Sequence, residues 1–293
     1  HEQQHQELMF TDLKHALSCN PLDPVYSSDC RTSTGKAIEL SWSDTGDEIA
    51  MIGYEGDSFC FDNEQPRHRV FLEPYRIANR CVTNREYLEF MDDGGYERPE
   101  FWLSLGWSTV ERSGWTCPLY WSKNSTQWSQ FTLGGRRAID WDEPVCHVSY
   151  FEADAYARWA GCRLATEMEW EHAVCGDGVS PLGSDHPGAW SDMLMSARFP
   201  IHPQTETRKS ESTGLANAMG NVWEWTRSHY SAYPGYRPAE GALGEYNGKF
   251  MCNAFVLKGG SCATPSNHAR PTYRNFFSPQ SRWQFTGIRL AQS

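Results

Sequence analysis

Apolar residues recur at helical spacing at the start of the chain, where HEQQHQELMFTDLKHALS places Leu8, Met9, Leu13 and Leu17 along one side before Asn20-Pro21 stops the pattern. One amphipathic helix is predicted over residues 1–18. The pattern begins mid-helix and without an initiator Met, which leads us to expect an N-terminally truncated or processed chain. From 19 to 45 the text turns to Pro, Asp, Ser and Thr with little periodicity, and a linker is predicted. From 46 onward short β-like runs alternate with a few helices that carry explicit start signals. Thr83-Asn-Arg-Glu86, Ser149-Tyr-Phe-Glu152 and Thr166-Glu-Met-Glu169 each read as a capping box, in which the hydroxyl accepts from the N3 amide and the Glu reaches back. The helices they predict run to about Met91, Gly161 and Gly176. Beyond Gly176 no long periodic segment follows. Glycine, proline and aromatics dominate in GNVWEWT (220–226), FVLKGGS (255–261), RPTYRNFF (270–277) and TGIRLA (286–291). A chain this irregular must satisfy its backbone with side chains, and Trp, Asn, Arg and Glu are there to do it.

Composition narrows the class. A chain of 293 residues can bury a substantial core, and aromatics reach 14% although hydrophobic residues are only 39%, so large rings with polar handles must build that core. Disordered chains lack this content. The formal net charge is -11 with no long basic run, so neither nucleic acid nor an anionic membrane is an expected partner. No stretch approaches the roughly 20 apolar residues of a membrane span, nor does the front resemble a signal peptide. The ten cysteines include no Cys-x-x-Cys pair, which argues against a zinc ribbon or thioredoxin-type site and for scattered reduced thiols in a cytoplasmic protein.

The candidate chemistry lies at the start. His1 and His5 are one helical turn apart on one face and can reach one metal ion. With Glu2 they spell HExxH, the pattern of zinc peptidases in which the Glu is the general base. The metzincin extension needs a Gly and a third His downstream, where this chain has Leu8 and Thr11. His15 lies about 21 Å along the helix from His1 and cannot share the ion. Spacing alone leaves a metal pair and a solvated pair both open.

Five phrases, HVSYFEADAYARWAGCRLATEMEWEHA, GLANAMGNVWEWT, VLKGGSCAT, RPTYRNFF and TGIRLA, together resemble in order the formylglycine-generating-enzyme-like (sulfatase-modifying-factor) domain. HEQQHQE resembles the iron-binding helix of the DinB-like four-helix domain that precedes this fold in ergothioneine-biosynthetic non-haem iron sulfoxide synthases. The resemblance implies an α+β, C-type-lectin-like domain with little regular secondary structure over 46–293, preceded by the last helix of a DinB-like bundle over 1–18. It implies Fe(II) as cofactor and O2 as co-substrate in joining hercynine, the trimethylated form of histidine, to the sulfur of cysteine or γ-glutamylcysteine. His1 and His5 match the metal ligands, with a third His expected from an earlier helix. Gln4 matches a residue that bonds the substrate imidazole, and Asn275, with Phe276 beside it, matches a contact near the trimethylammonium end. In some members an active-site Tyr comes from the loop before the Gly-Gly-Ser turn, where Tyr236 and Tyr246 lie, and in others from the part expected upstream of this chain; Tyr246 is carried over as the catalytic candidate. Some members have Trp-Asp where this chain has Phe276-Phe277, so the choice of thiol stays open. Cys262 follows Gly259-Gly260-Ser261 directly with no second Cys after it, a departure from the copper-dependent formylglycine enzymes. Asn217 to Glu224 resembles a structural calcium segment of those enzymes. Trp223, Glu224, Trp225 and Arg289 are expected to hold the fold. An ovothiol-type synthase acting on histidine itself, a binding module without redox chemistry and an HExxH zinc hydrolase remain the alternatives.

Overall fold

The computed structural model describes residues 1–28, 35–125, 127–175, 202–207, 209–210, 213–265 and 267–293, without the side chains of 242, 243 and 245. Helix α1 is Glu2–Ser18, followed by strands β1 (Trp42–Thr45), β2 (Glu48–Ile52), β3 (His68–Leu72) and β4 (Tyr75–Ala78). Next come α2 (Asn84–Asp92), α3 (Ser104–Ser113), β5 (Trp121–Lys123), β6 (Trp128–Thr132), β7 (Gly135–Ala138), α4 (Tyr150–Trp159), β8 (Arg163–Leu164) and α5 (Glu167–Cys175). The last part holds β9 (Trp223–His229), α6 (Ala242–Gly248), β10 (Phe255–Lys258), β11 (Asn275–Phe277), β12 (Thr286–Gly287) and β13 (Leu290–Gln292). One sheet runs β1-β4-β13-β8 and a second β11-β10-β9-β12, while β2-β3 and β5-β6-β7 form smaller ribbons. β1 therefore draws its four residues from the stretch read as linker, pairing Trp42 with Ala78 and Thr45 with Tyr75.

The three start signals work as the sequence states. Thr83 and Ser149 close full capping boxes with Glu86 and Glu152. At α5 the Thr166 hydroxyl accepts from Glu169 N at 3.1 Å, and Glu169 accepts from Thr166 N at 2.7 Å.

Rings fill the interior, with Trp170, Trp223, Trp225, Tyr87, Phe90, Phe131 and Phe285 fully buried. Between them run buried ion pairs that also close the irregular backbone. Arg289 bonds Glu224 at 2.8 Å and donates to the carbonyls of Ala78 and Ala216. Arg274 bonds Glu167 at 2.7 Å and donates to Asn63 and Ser231 carbonyls. Glu224 also accepts from Trp170 Nε1, so its two oxygens are engaged by protein donors. The nine described cysteines are free thiols, and Cys30 lies outside the described residues. None of the described helices is long and apolar enough to cross a membrane.

Helix α1 corrects one expectation. Its apolar positions do not form the buried stripe: Met9 is 61% exposed and Leu13 and Leu17 are partly buried, whereas Glu7, Thr11 and Lys14 are the buried residues. A polar face can be buried where each group finds a partner, and here it does. The Glu7 carboxylate accepts from Ser261 Oγ at 2.6 Å, Trp223 Nε1 at 2.8 Å and Thr264 Oγ1 at 2.9 Å. Lys14 Nζ reaches His147 Nε2 at 2.7 Å. Ser261 owes its position to the glycines before it: Gly259 has φ +96, and a Cβ there would stand 2.4 Å from the Ala218 carbonyl oxygen.

Candidate functional site

Docking α1 by Glu7 and Lys14 turns its first two turns over a cavity of about 360 Å³. Gln4, Glu7 and Leu8 form one wall. Tyr246, Lys249 and Phe250, at and just beyond α6, form a second. Tyr273, Asn275, Phe276 and Gln284 supply the third. Strand β11 brings Asn275 and Phe276 there as the edge of its sheet, where they pair with Leu257 and Val256 of β10.

At the rim the His1 and His5 rings stand 4.3 Å apart, and the His1 ring meets the edge of Tyr246 at 4.9 Å. Neither histidine lines the cavity itself. Ligand atoms of His1, Glu2 and His5 lie within 4.8 Å of one another, and this is the single such cluster of His, Cys, Asp or Glu found among the described residues. Glu2 approaches His5 Nδ1 at 3.8 Å with its side chain 88% exposed. Two imidazoles one turn apart, with free nitrogen lone pairs and solvent access, fit part of the coordination shell of a divalent first-row metal.

Gln4 donates its amide nitrogen to Tyr273 Oη at 2.5 Å. Its amide oxygen is buried and has no hydrogen-bond partner among the described residues. A buried acceptor without a partner is costly unless something fills it. Asn275 uses its own carbonyl oxygen to accept from Phe276 N at 3.0 Å, leaving its amide nitrogen as the group it can turn outward. Phe276 stacks on Tyr230 at 4.0 Å and 7°, with Phe250 5.8 Å away and Tyr246 a further 5.4 Å from Phe250. Lys249 is the one cation among the described lining residues.

The two loop tyrosines part company. Tyr236 donates to Asp62 Oδ2 at 3.0 Å, and burial together with that carboxylate pushes its phenol up to about 12. Tyr246 lines the cavity beside His1, and partial burial raises its pKa above the usual phenol value. Burial likewise pushes the Cys262 thiol well up, which keeps it protonated. His1, His5, Gln4, Tyr246, Asn275 and Phe276, scattered from one end of the chain to the other, thus fall around a single cavity and its rim. Glu7, Lys249, Phe250, Tyr273 and Gln284 were not foreseen. Glu7 had a readable signal, since it follows Gln4 by three and so shares its helical face.

The profile of the sulfatase-modifying factor enzyme 1-like domain matches residues 44–293. A hercynine oxygenase of Mycolicibacterium smegmatis is 34% identical over 99% of this chain and 69% of its own length. That of Mycobacterium tuberculosis is 37% identical over 78% of this chain, which spans 55% of it. Among solved structures, PvdO from Pseudomonas aeruginosa superposes with a TM-score of 0.56 over 89% of this chain and 100% of its own at 17% identity, a likeness of fold alone.

Proposed function

The chain belongs to the sulfatase-modifying factor enzyme 1-like family, with hercynine oxygenases among its relatives, and from that premise we propose that it is an Fe(II)- and O2-dependent sulfoxide synthase. The substrates are hercynine and a thiol, cysteine or γ-glutamylcysteine. The balance closes without a further reductant: one imidazole C–H and one S–H bond break, a C–S bond forms, and O2 ends as the sulfoxide oxygen and water. The observation that carries the reading is the convergence of Gln4, Tyr246, Asn275 and Phe276 on one cavity with His1 and His5 at its rim.

Residues 1–18 act in this reading as the last helix of a DinB-like metal domain and 46–293 as the substrate-binding domain. His1 and His5 would hold the ion, which supplies the reduction of O2 when bound. Neutral imidazole ligands leave the ion its full charge, which favours a thiolate beside it. The orphan Gln4 oxygen accepts the imidazole N–H of hercynine. Phe276, with Phe250 beyond it, offers ring faces to the trimethylammonium group, an attraction of about 0.5 to 2 kcal/mol. Lys249 and the Asn275 amide suit the carboxylate. Tyr246, kept protonated by burial, can give up a proton at the cavity mouth.

The test is anaerobic loading of the intact protein with Fe(II), addition of hercynine with either thiol, admission of air and mass spectrometry of the products. A sulfoxide-linked conjugate establishes the reaction and names the thiol. Absence of iron binding and of any conjugate rejects it in favour of a binding module, and a conjugate formed from histidine alone favours the ovothiol-type reaction.

A further inference from the structure

We infer that Tyr273 is a positioning residue that fixes which end of the Gln4 amide faces the cavity. The two ends of a glutamine amide have opposite hydrogen-bonding character and nearly equal shape, so something outside the side chain must choose between them. The Tyr273 hydroxyl does so by taking the Gln4 nitrogen at 2.5 Å, which leaves the oxygen as the uncommitted end of a residue that lines the cavity, buried and without a partner among the described residues.

Tyr273 is built to stay where it is. The residue is 4% exposed, and its ring packs against Trp223 at 5.3 Å, Phe61 at 5.4 Å and His268 at 4.8 Å, with the Arg270 guanidinium 5.3 Å from its centre. Arg270 is itself tied to Glu64. Held there, the Tyr273 hydroxyl oxygen stands as an acceptor at a fixed point for the Gln4 amide nitrogen.

On the proposed reading, this arrangement selects one form of the substrate ring. A neutral imidazole has one N–H and one lone pair. With an acceptor fixed at Gln4, the ring must present its N–H there and its lone pair elsewhere. A ring methylated on that nitrogen has no proton to give and leaves the Gln4 oxygen buried and unpaired, a mismatch that discriminates strongly.

A double-mutant cycle tests this, with the dissociation constant of hercynine measured by calorimetry on the intact, metal-loaded protein under anaerobic conditions. Tyr273→Phe is expected to weaken binding about tenfold or more, equivalent to about 1.4 kcal/mol, by freeing the amide to turn. In a Gln4→Ala background the same change is expected to cost almost nothing, because Tyr273 then has no amide to orient. Equal losses in both backgrounds, or no loss in the single variant, overturn the inference while leaving the function standing. Failure of the wild type to bind hercynine overturns the function and this inference with it. Should Tyr273→Phe not fold, hercynine methylated on either ring nitrogen decides on the wild type. Both methylated forms binding as tightly as hercynine overturns the inference, and loss of binding by the one blocked at the Gln4-facing nitrogen supports it.

Discussion

Lys14 Nζ and His147 Nε2 meet at 2.7 Å in the buried seam between α1 and the rest of the protein, with the Tyr120 and Phe285 rings about the ammonium at 5.1 and 5.0 Å. Burial first, and the neighbouring Lys14 next, hold His147 well below the usual imidazole range, so the ring is neutral and can accept. Replacing His147 by Leu takes an acceptor from a buried ammonium. Stability in urea unfolding is expected to fall by about 1 to 3 kcal/mol. Adding Lys14→Met should recover part of that loss, since the ammonium that faced His147 goes with it. A double variant no more stable than the single one would show that the two residues are not coupled.

Glu7 is the second anchor, and its three donors come from Trp223, Ser261 and Thr264. Glu7→Ala leaves them facing a void, at a cost of about 3 kcal/mol or more if each buried donor counts for about 1. The variant should also bind Fe(II) at least about tenfold more weakly, because His1 and His5 share the helix that Glu7 docks. Glu7→Gln retains the shape and one acceptor and is expected to fall between. Thermal unfolding and an anaerobic Fe(II) titration read the two effects separately, and unchanged metal affinity in Glu7→Ala would remove Glu7 from the positioning of the metal pair.

Much of this arrangement could be read from local pattern. The spacing of His1, Gln4 and His5 puts them on one turn of helix, and Thr83, Ser149 and Thr166 announce their helices because a capping box is complete within four residues. The buried face of α1 could not be read that way. Glu7 and Lys14 look like solvated helix residues, and what makes them interior is a set of partners 133 to 257 positions away in sequence. Tyr273 was hidden for the opposite reason: an aromatic in RPTYRNFF reads as core, which it is, and the one polar atom that matters points at a residue 269 positions distant. The ion pairs of Glu224 and Glu167 with Arg289 and Arg274 follow the same rule, since nothing in either segment states that the other will arrive.

For Tyr246, beside His1 at the cavity mouth, the proposed role is to supply a proton. Burial raises its pKa above 10.0, so it stays protonated through neutral and mildly alkaline pH and should impose no loss of rate there. Tyr246→Phe is expected to lower kcat by about 100-fold, within the usual range for loss of general acid–base help, while Fe(II) affinity and hercynine binding stay as they were. A variant with wild-type kcat in stopped-flow turnover would show that the proton comes from another group.

Phe276 has two possible duties, packing and cation recognition, and substrate comparison separates them. Phe276→Leu is expected to raise KM for hercynine by about 2-fold to 30-fold, which is what about 0.5 to 2 kcal/mol of cation–π attraction amounts to. The KM for histidine, which lacks the methyl groups, should move less. Equal shifts for both substrates would assign Phe276 to packing against Tyr230 alone.

His202 gives a pH signature that comparison of the wild type with a variant isolates. Burial dominates at this ring and, aided by Arg137 and opposed by Glu143, lowers its pKa from 6.5 to about 4. A base whose pKa is lower in the folded than in the unfolded state binds its proton preferentially when unfolded. Its contribution is therefore intact above 6.5 and is lost as pH falls toward 4, by up to about 3 kcal/mol in all. Glu143, held below 4.5 by His202 and Arg137 against the effect of burial, begins to lose its own contribution only beneath that value. The interval from 6.5 to 4.5 thus isolates the histidine from its partner. Glu7 and Glu206, raised by burial, act in the opposite sense, and His147 and His268, lowered by burial, act in the same sense as His202, but all of them in wild type and variant alike. Chemical unfolding of the wild type and His202→Asn across this interval should show the wild type losing stability faster on acidification. A constant gap between the two curves would mean that His202 does not change its proton affinity on folding.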